Sequence, residues 1–275
     1  MKVKKSYEVT EIEIPNTITK IGDYQFYGFN NVTKVVMSEN IESIGSNAFA
    51  SCDLLEKLYY EGTIEDWCNI VFTSYDQNPI NYVDYFYMLN DNEEWYKVTE
   101  IEIPDTITKI GDYQFYGLKN LIKIFIPNSV KSIGNSAFEG CESFGIVCYK
   151  GTIEDWCNIV FTSYDQNPMN YADFFYMLND NNEWYEVTQI EIPATVTKIG
   201  DYQFYGFKYL KEVIIPSSVT SIGQSVFVGC KSLTIYCKAE SKPVEWPSNW
   251  NVSYATVYWA NEWEYDSSGN PKPKK

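Results

Sequence analysis

Hydrophobic and polar residues alternate in short stretches of this chain, and each of the clearest stretches ends at a proline. Residues 9–15 have the sequence VTEIEIP, which returns unchanged at 98–104 and with one substitution at 187–193. An alternation with a period of two predicts a short strand with one buried face. Proline fits the end of such a strand because it lacks an N–H group. The regular return of the stretch predicts a repeat architecture.

A shorter period lies inside each long repeat, because large apolar residues recur about every 23 residues. One aromatic column consists of Phe26, Phe49, Phe72, Phe115, Phe138, Phe161, Phe204, Phe227 and Trp250. A single unit cannot bury its own apolar edge, whereas stacked neighbours bury each other's edges. We therefore predict a solenoid of nine coils over residues 9–237, in which coils one, four and seven begin at Val9, Val98 and Val187 and the aromatic column forms a continuous buried stack.

The strands of successive coils are expected to form a parallel sheet on one side of the solenoid. On the other side, the Ala-Phe and Gln-Phe segments after each Ile-Gly corner predict short 3₁₀ or single-turn helices. Thr63 with Glu65 and Asp66 predicts the start of a genuine short helix in coil three. Inserts at 78–97 and 167–186 carry aromatic runs around a polar centre, which predicts β-hairpins.

Polar residues at equivalent coil positions give two register predictions. Three glutamines stand where neighbouring coils have Ala or Val, and we expect all three to be buried or half-buried and hydrogen-bonded to backbone: Gln25, Gln114 and Gln203. Strands with an acidic residue at a given position should also lie beside strands with a basic residue there. We therefore expect Glu11 to pair with Lys34 and Glu100 to pair with Lys123.

The two ends of the sequence depart from the coil pattern. Residues 1–8 are interpreted as an N-terminal leader segment that lacks the apolar stretch of a signal peptide. Residues 238–265 are crowded with tryptophan and are predicted to cap the last coil, with Trp250 buried and with 257–259 and 263–265 forming a hairpin. The Lys/Pro-rich residues 266–275 are expected to be a flexible tail.

Composition narrows the possible functions. The formal charge is −16, so the basic face that nucleic acid or anionic lipid requires is not expected, and no apolar stretch is long enough for membrane insertion. The chain has no histidine, which excludes Ser-His-Asp and Cys-His catalysis and histidine zinc sites. No cofactor is implied, and a monomer is expected. The seven cysteines lack zinc spacing, and the coil register keeps equivalent cysteines too far apart for disulfides.

Two sets of residues are candidates for binding. The first is the outward row of the sheet, where apolar residues stand on a face that would otherwise be wet: Val36, Tyr59, Phe125 and Ile214. In coil nine the 23-residue register assigns this row to Cys237. The alternative set is aromatic and lies in the inserts: Tyr85, Tyr87, Trp95, Phe174, Tyr176 and Trp184. Strand propensity alone would also explain the first set, and packing on the solenoid flank would explain the second.

The coil at 121–141, LIKIFIPNSVKSIGNSAFEGC, resembles the BspA-type leucine-rich repeat, whose pattern is LxxIxIPxxVxxIGxxAFxxC. The resemblance extends over about residues 9–255. It implies a leucine-rich-repeat solenoid and a bacterial or protozoan protein that is secreted or displayed at the cell surface. It carries over no catalytic residue.

These observations favour a non-enzymatic adhesion scaffold that binds a matrix or cell-surface protein through its repetitive surface. A carbohydrate-binding module that uses the aromatic hairpins is the alternative, with a glycan as partner. A polysaccharide-acting enzyme is a remote third hypothesis, since Glu65 with Asp66 is better explained as helix-start charge.

Overall fold

The computed structural model describes residues 9–251 and 255–275. The leader expected at 1–8 lies outside the described residues. The described chain divides into two compact units. One contains the residues up to Ile122 together with Ser136–Phe144, and the other contains Lys123–Asn135 together with the residues from Gly145 onward.

Short strands dominate the first unit. Its elements are β1 (Glu11–Ile14), β2 (Lys20–Ile21), β3 (Lys34–Met37), β4 (Ser43–Ile44), β5 (Lys57–Tyr60), α1 (Ile64–Asn69), the 3₁₀ helices η1 (Tyr75–Gln77) and η2 (Pro79–Tyr82), β6 (Tyr85–Leu89), β7 (Trp95–Lys97), β8 (Glu100–Glu102) and β9 (Lys109–Ile110). Strands β1, β3, β5 and β6 form a parallel ladder, and β7 closes it in antiparallel pairing with β6.

The ladder confirms the predicted 23-residue register. Ile12 is opposite Val35, and Val35 is opposite Leu58. These side chains point inward and are buried, while their neighbours along each strand point outward. Glu11 is opposite Lys34, and their charged groups lie 3.6 Å apart, as expected. The pairing of Glu100 with Lys123 stays a prediction.

The aromatic column is buried at every position except Phe26, which is half-buried. Rings of neighbouring coils pack in pairs, Phe26 on Phe49 at 5.3 Å and Phe115 on Phe138 at 5.7 Å. In the second unit Phe204 packs on Phe227 at 5.8 Å. The core of each unit therefore lies between the strand layer and the turns opposite it.

The Gln-Phe segments fold as hydrogen-bonded turns and not as the expected 3₁₀ helices. The reason is a left-handed residue in each turn, Tyr24, Tyr113 and Tyr202, with φ of 53°, 54° and 54°. A left-handed residue interrupts a right-handed helical turn. Gly28 and its equivalents close these turns, also at positive φ, where glycine has no steric penalty.

Helix α1 forms where the sequence predicts it. The Oγ1 atom of Thr63 accepts from the backbone N–H of Asp66 at 3.1 Å, and the Asp66 carboxylate accepts from the N–H of Thr63 at 2.9 Å. This capping box satisfies backbone donors that the first helical turn leaves free. The Asp66 carboxylate is thus part of a helix cap.

The inserts are hairpins, as predicted, but their first arm is also a strand of the parallel sheet. Tyr85 is opposite Lys57 and Tyr87 is opposite Tyr59, so β6 continues the ladder directly after β5. The five residues of β6 alternate half-buried and buried positions. The aromatic residues of the insert therefore belong to the same surface as the outward row.

The second unit repeats this plan. Its elements are β10 (Lys123–Ile126), β11 (Ser132–Ile133), β12 (Ile146–Tyr149), α2 (Ile153–Cys157), η3 (Tyr164–Gln166), η4 (Pro168–Asn170), β13 (Phe174–Leu178), β14 (Trp184–Glu186), β15 (Gln189–Glu191), β16 (Lys198–Ile199), β17 (Glu212–Ile215), β18 (Ser221–Ile222), β19 (Thr234–Cys237), β20 (Thr256–Tyr258), β21 (Trp263–Tyr265) and β22 (Pro271–Pro273). Strands β10, β12 and β13 are parallel, with β14 antiparallel, and β15, β17, β19 and β20 form another parallel ladder.

The register changes in coil nine. Ile214 is opposite Tyr236, and Cys237 is opposite Ile215, so the outward residue of this coil is Tyr236 and the assignment of Cys237 was wrong. The physical reason is that the step from β17 to β19 is 22 residues, since Val213 is opposite Ile235, whereas the step from β15 to β17 is 23. A slip of one residue in a strand reverses the face of each side chain.

The C-terminal segment also differs from the prediction. Trp250 is buried, as expected, and packs 4.8 Å from Trp246. Strand β20 does not pair with β21; it pairs in parallel with β19, while β21 pairs antiparallel with β22. Residues 271–273 of the expected flexible tail are therefore held by backbone pairing, and the Asp266 carboxylate accepts from the N–H groups of Ser268 and Asn270 in the connecting turn.

Two of the three predicted glutamines behave as expected. Gln114 and Gln203 are buried, and their amide groups donate to the backbone carbonyls of Trp67 and Trp156. Gln25 is exposed, so the prediction was wrong for coil one. The seven cysteines carry free thiols.

Candidate interaction surface

The outward side chains of the first unit form a row along neighbouring strands. Val36, Tyr59 and Tyr87 are in register on β3, β5 and β6. All three are half-buried, because each strand hides one flank of the side chain next to it. The structure therefore places two candidates of the sheet set beside one candidate of the insert set.

Aromatic packing joins these side chains into a cluster. The rings of Tyr59 and Tyr87 stack at 4.5 Å with an interplanar angle of 7°. Trp95 meets Tyr59 edge-on at 4.9 Å and remains 40% exposed. The ammonium group of Lys34 lies 5.0 Å from the centre of the Tyr59 ring. We call Val36, Tyr59, Tyr87 and Trp95 the first outer cluster.

Tyr85 lies next to this cluster and not within its stacking. It is half-buried, and the ammonium group of Lys97 lies 5.3 Å from its ring centre. Attraction between a cation and a ring face is worth about 0.5–1 kcal/mol at an exposed site. Tyr85 therefore contacts Lys97 at the edge of the cluster.

The second unit has an equivalent but rearranged set of residues. Phe125, Cys148 and Tyr176 are in register on β10, β12 and β13. Cys148 stands where the first unit has Tyr59, and its small side chain is buried. Trp184, which is equivalent to Trp95, packs on Phe125 at 5.5 Å instead and remains 38% exposed.

The remaining insert candidate of the second unit is paired elsewhere. Phe174 stacks on Tyr209 at 4.8 Å with an interplanar angle of 3°. The structure therefore does not bring Phe174 together with Trp184 in one ring contact. We call Phe125, Tyr176 and Trp184 the second outer cluster.

Ile214 is not exposed, in contrast to the prediction. It is 7% accessible and belongs to a small apolar cluster with Tyr236 and Trp263, against which Tyr258 packs. The physical reason is that the C-terminal hairpin of β21 and β22 supplies Trp263 to this surface. This cover was not expected from the sequence, because residues 263–265 were predicted to form a hairpin with 257–259, whereas they pair with 271–273.

Polar contacts fix the C-terminal hairpin in this position. The indole N–H of Trp263 donates to the Cys237 carbonyl at 3.0 Å. The Lys238 ammonium donates to the Glu191 carboxylate at 2.7 Å and lies 5.8 Å from the Tyr265 ring centre. The hydrogen bond to Glu191 raises the pKa of Lys238. This part of the outward row is therefore covered by the chain itself.

The acidic side chains at the starts of the short helices have structural roles. The described residues contain no group of three or more His, Cys, Asp or Glu side chains that could hold a metal ion. Burial acts to raise the pKa of Asp155, but hydrogen bonds from Thr152 outweigh it and the pKa is lowered. Asp155 is the cap of α2, as Asp66 is of α1. These carboxylates are therefore engaged in helix capping.

Two equivalent cavities lie beside the short helices, one in each unit, and the sequence did not indicate them. The cavity next to α1 has a volume of about 350 Å³ and is lined by Phe72, Lys109 and Gln114, among others. The cavity next to α2 has a volume of about 320 Å³.

In the described part of the chain, no helix is long and apolar enough to cross a membrane.

Comparison with protein families gives a match over most of the sequence. The profile of the BspA type leucine rich repeat region matches six copies, at residues 3–84, 93–171 and 181–245. A comparison with curated protein sequences finds no match.

Several solved structures resemble the chain. A leucine rich cell surface protein from Faecalibacterium prausnitzii A2-165 has 20% identity and a TM-score of 0.40, and the alignment covers 86% of this chain and 70% of that protein. A leucine-rich repeat protein from Bacteroides ovatus ATCC 8483 has 20% identity and a TM-score of 0.48, with 91% and 66% covered. One from Eubacterium ventriosum ATCC 27560 has 22% identity and a TM-score of 0.36, with 86% and 62% covered, so this chain spans less than two thirds of the last two proteins.

Proposed function

Because the chain belongs to the BspA-type leucine-rich repeat family, we propose that it is a non-catalytic, adhesin-like scaffold at the cell surface or in the secreted fraction. Its partner is a matrix or cell-surface protein, which binds the two outer clusters. The hypothesis of a polysaccharide-acting enzyme has no support from the carboxylates, since Asp66 and Asp155 cap helices.

The observation that carries this proposal is the convergence of the two candidate sets on the first outer cluster. Tyr59 comes from the sheet row, and Tyr87 and Trp95 come from the insert, yet both insert rings contact Tyr59. Tryptophan and tyrosine are enriched among the residues that contribute most to protein interfaces. Rings that are already packed lose little conformational freedom on binding, which favours affinity.

The orientation of the rings favours a protein over a glycan. Tyr87 stacks on one face of Tyr59, and the Lys34 ammonium group lies over the ring as well. A sugar that stacks on an aromatic ring requires an open ring face. The faces of Tyr59 are engaged, so it offers its edge and its hydroxyl group, which suit a protein surface better.

A carbohydrate-binding function is the second candidate, because one feature favours it. Trp95 and Trp184 are the most exposed rings of the two outer clusters, at 40% and 38%. Each tryptophan stands at an equivalent position of its insert, so a repeating glycan would meet equivalent rings. Multivalent engagement would then raise the overall affinity without new contacts.

Charge supports a partner with a basic surface. The chain carries a formal charge of −16, and opposite charge on the partner would accelerate association. We expect the association rate to fall as the salt concentration rises, because exposed charges are screened.

The test is a binding assay against an array of matrix proteins and an array of glycans with the full chain. We expect saturable binding to at least one protein that weakens about 10-fold or more when Trp95→Ala and Trp184→Ala are combined, which is about 1.4 kcal/mol. The matched control combines Val71→Ala and Val160→Ala, since both valines are exposed and equivalent but lie outside the outer clusters. Binding that survives the double tryptophan variant would contradict the proposal, and tryptophan-dependent binding to glycans alone would favour the second candidate.

A further inference from the structure

The outward row of the last ladder has the same chemistry as the row of the first outer cluster. On β1, β3, β5 and β6 the outward residues in register are Glu13, Val36, Tyr59 and Tyr87. On β15, β17, β19 and β20 they are Glu191, Ile214, Tyr236 and Tyr258. Both rows therefore run from a carboxylate through an aliphatic side chain to two tyrosines. We call the second set the C-terminal row.

The rings of the two rows are also packed in the same way. Tyr236 stacks on Tyr258 at 5.6 Å with an interplanar angle of 18°. Trp263 packs on Tyr236 at 5.3 Å, as Trp95 packs on Tyr59 in the first outer cluster. A pair of stacked tyrosines with a tryptophan against the first of them therefore occurs in both rows.

The two rows differ in how much of their surface is accessible. Val36 and Tyr59 are half-buried, whereas Ile214 is 7% exposed and Tyr236 is 4% exposed. The cause is the C-terminal hairpin, which places Trp263 against both side chains of the C-terminal row. In the described chain, β21 and β22 form a two-stranded sheet of their own, so the hairpin lies on the row without extending the ladder.

This cover lies on the opposite face of the ladder from the coil core. Ile214, Tyr236 and Trp263 form a small apolar cluster together. Their strand neighbours Val213 and Ile235 are 0% exposed and belong to the coil core. Because successive side chains of a strand point to opposite faces, loss of the cover would leave the coil core closed.

A tryptophan and a group of exposed polar contacts hold the hairpin on the row. Trp263 is 6% exposed, and its indole N–H donates to the Cys237 carbonyl at 3.0 Å. At the rim, the Tyr265 hydroxyl donates to the Glu191 carboxylate at 3.3 Å, and the same carboxylate accepts from the Lys238 ammonium at 2.7 Å. Exposed charged contacts contribute little to stability, so the attachment depends mainly on the tryptophan.

The chain directly before the hairpin is attached to the solenoid by contacts of its own. The N–H of Ala260 donates to the Ala239 carbonyl at 3.0 Å, and Trp259 packs 6.1 Å from Trp246. A two-stranded hairpin is at best marginally stable by itself in water. An opening motion would therefore start after these contacts, at Glu262, and would leave β20 in place.

From these observations we propose that the C-terminal hairpin is a cover that opens and closes over the C-terminal row while the coils stay folded. Segments with few buried contacts open at a lower free energy than the whole domain. Opening exposes Ile214 and Tyr236 and adds a third cluster to the interaction surface, which the closed hairpin withholds. That the exposed row binds the same class of protein rests on the function proposed above, whereas the opening itself does not.

The test is thiol labelling of the full chain with Val36→Cys and Ile214→Cys introduced together, read at each position by mass spectrometry. The two positions are equivalent in their rows, so position 36 is the reference for an uncovered row. We expect position 214 to be labelled about 10-fold or more slowly than position 36, and the two rates to become similar when Trp263→Ala is added. Val244→Ala is the matched control, since Val244 is exposed and lies outside the hairpin, and it should leave the ratio unchanged.

A native cysteine separates opening of the hairpin from unfolding of the coils. Cys230 is 5% exposed, so its thiol is labelled when the coils around it unfold. We expect position 214 to be labelled in buffer while Cys230 stays unlabelled. Labelling of both at the same rate would overturn the proposal, because the hairpin would then open only when the coils unfold. Labelling of position 214 as fast as position 36 with the hairpin unaltered would also overturn it, because the row would then be uncovered.

Hydrogen exchange measured by NMR gives a second reading that leaves the row unaltered. The N–H of Lys274 donates to the Glu262 carbonyl within the hairpin, and the N–H of Thr234 donates to the Lys211 carbonyl within the ladder. The Lys274 amide should exchange faster than the Thr234 amide. Glu191→Gln should speed exchange at Lys274 by no more than about 5-fold and leave Thr234 unchanged. Equal rates at the two amides would contradict a cover that opens separately.

A binding measurement distinguishes failure of this proposal from failure of the proposed function. A protein identified in the array should bind the Trp263→Ala variant about 3-fold or more tightly than the unaltered chain, because a third cluster becomes available. Unchanged binding together with faster labelling at position 214 would show that the exposed row is not an interaction surface. If no protein in the array binds, the proposed function is wrong, and the labelling rates still decide whether the hairpin opens.

Discussion

Coils one and four share the nonapeptide KIGDYQFYG, yet the two copies differ in accessibility. Phe115 is 0% exposed and Gln114 is 1% exposed, while Phe26 is half-buried and Gln25 is exposed. The backbone turn is the same in both, with a left-handed tyrosine at its start. Local sequence therefore determines the turn, and the neighbouring coil determines what is buried.

This difference follows from the energetics of stacked repeats. The stability of such an array is the sum of the stability of each coil and the stability of each interface between neighbours. The interfaces therefore determine which side chains contribute most to the free energy of unfolding. In coil four the interface with residues 62–82 adds a buried tryptophan, a ring contact and three hydrogen bonds. The same substitution in the two coils should therefore lower the free energy of unfolding by different amounts.

The largest expected effect is on the aromatic column. Phe115→Ala should lower the free energy of unfolding by about 3–5 kcal/mol, because it leaves a cavity in a closed core. Phe26→Ala should cost clearly less, since the Phe26 ring is already half-buried. Urea unfolding of both variants measures the difference, and equal losses would show that coil one is as well packed as coil four.

The glutamine comparison comes next in size. Gln114→Ala removes the buried amide that donates to the Trp67 carbonyl, which then keeps only the Ile70 N–H as donor, and should cost about 1–3 kcal/mol. Gln203→Ala removes the same contact in coil seven and should behave alike. Gln25→Ala should change the free energy of unfolding by no more than about 0.5 kcal/mol, as for other exposed substitutions. A comparable loss from Gln25→Ala would mean that this side chain has a buried role.

The pH dependence of the buried cysteine thiols also differs between coil one and the other coils. Burial raises the pKa of Cys141 and of Cys230 to about 12, and it also raises that of Cys52, which contacts the coil-one turn through the Phe26 carbonyl. A folded pKa above the ordinary value of 9.0 favours the neutral thiol in the folded state. The contribution of the neutral thiol to the free energy of unfolding is fully present below pH 9 and is lost as the pH rises towards 12.

We therefore expect the free energy of unfolding to fall between pH 9 and 12, as followed by urea titration at several pH values. Within this window, iodoacetamide should label Cys52 before Cys141 and Cys230, since the Cys52 thiol contacts a half-buried turn, whereas the hydrogen bonds of the other two thiols are buried. Mass spectrometry of the digested protein gives the order. Simultaneous labelling would indicate global unfolding and not local ionisation.

The smallest effect is expected at the charged pair of coil one. The charged groups of Glu11 and Lys34 lie 3.6 Å apart; Glu11 is exposed and Lys34 is half-buried. Glu11→Gln should therefore lower the free energy of unfolding by no more than about 1 kcal/mol. Coil seven has Gln189 at this position, where its amide donates to Glu212 at 2.7 Å, so the substitution has a natural precedent. A larger loss would show that the strand edge of coil one depends on this charge.

Much of the fold follows from the residues themselves. The 23-residue columns predict the ladder, and Thr63 with Asp66 predicts the helix start, because both are properties of neighbouring residues. The exposure of Gln25 could not be predicted in this way, since Gln25 and Gln114 have the same local sequence. The burial of Ile214 was missed for a similar reason, because Trp263 reaches it through a long-range contact.

The candidate surface was predicted in part. The sequence identified Tyr59 and Trp95 separately, but it did not join them, because β6 was treated as a hairpin arm and not as a strand of the sheet. The alternation of half-buried and buried residues in Tyr85–Leu89 was the available signal. The register in coil nine depended on the step of 22 residues from β17 to β19, which moved the outward position to Tyr236.

The most direct measurement of the central claim is hydrogen exchange of the three nonapeptide copies in one experiment. Proteolytic peptides that extend past the nonapeptide distinguish the copies, because the residues that follow Gly28, Gly117 and Gly206 differ. We predict slow and similar exchange for 109–117 and 198–206 and faster exchange for 20–28. Equal protection of all three copies would contradict the account, since 20–28 would then be as stable as the two copies that pack against residues 62–82 and 151–171.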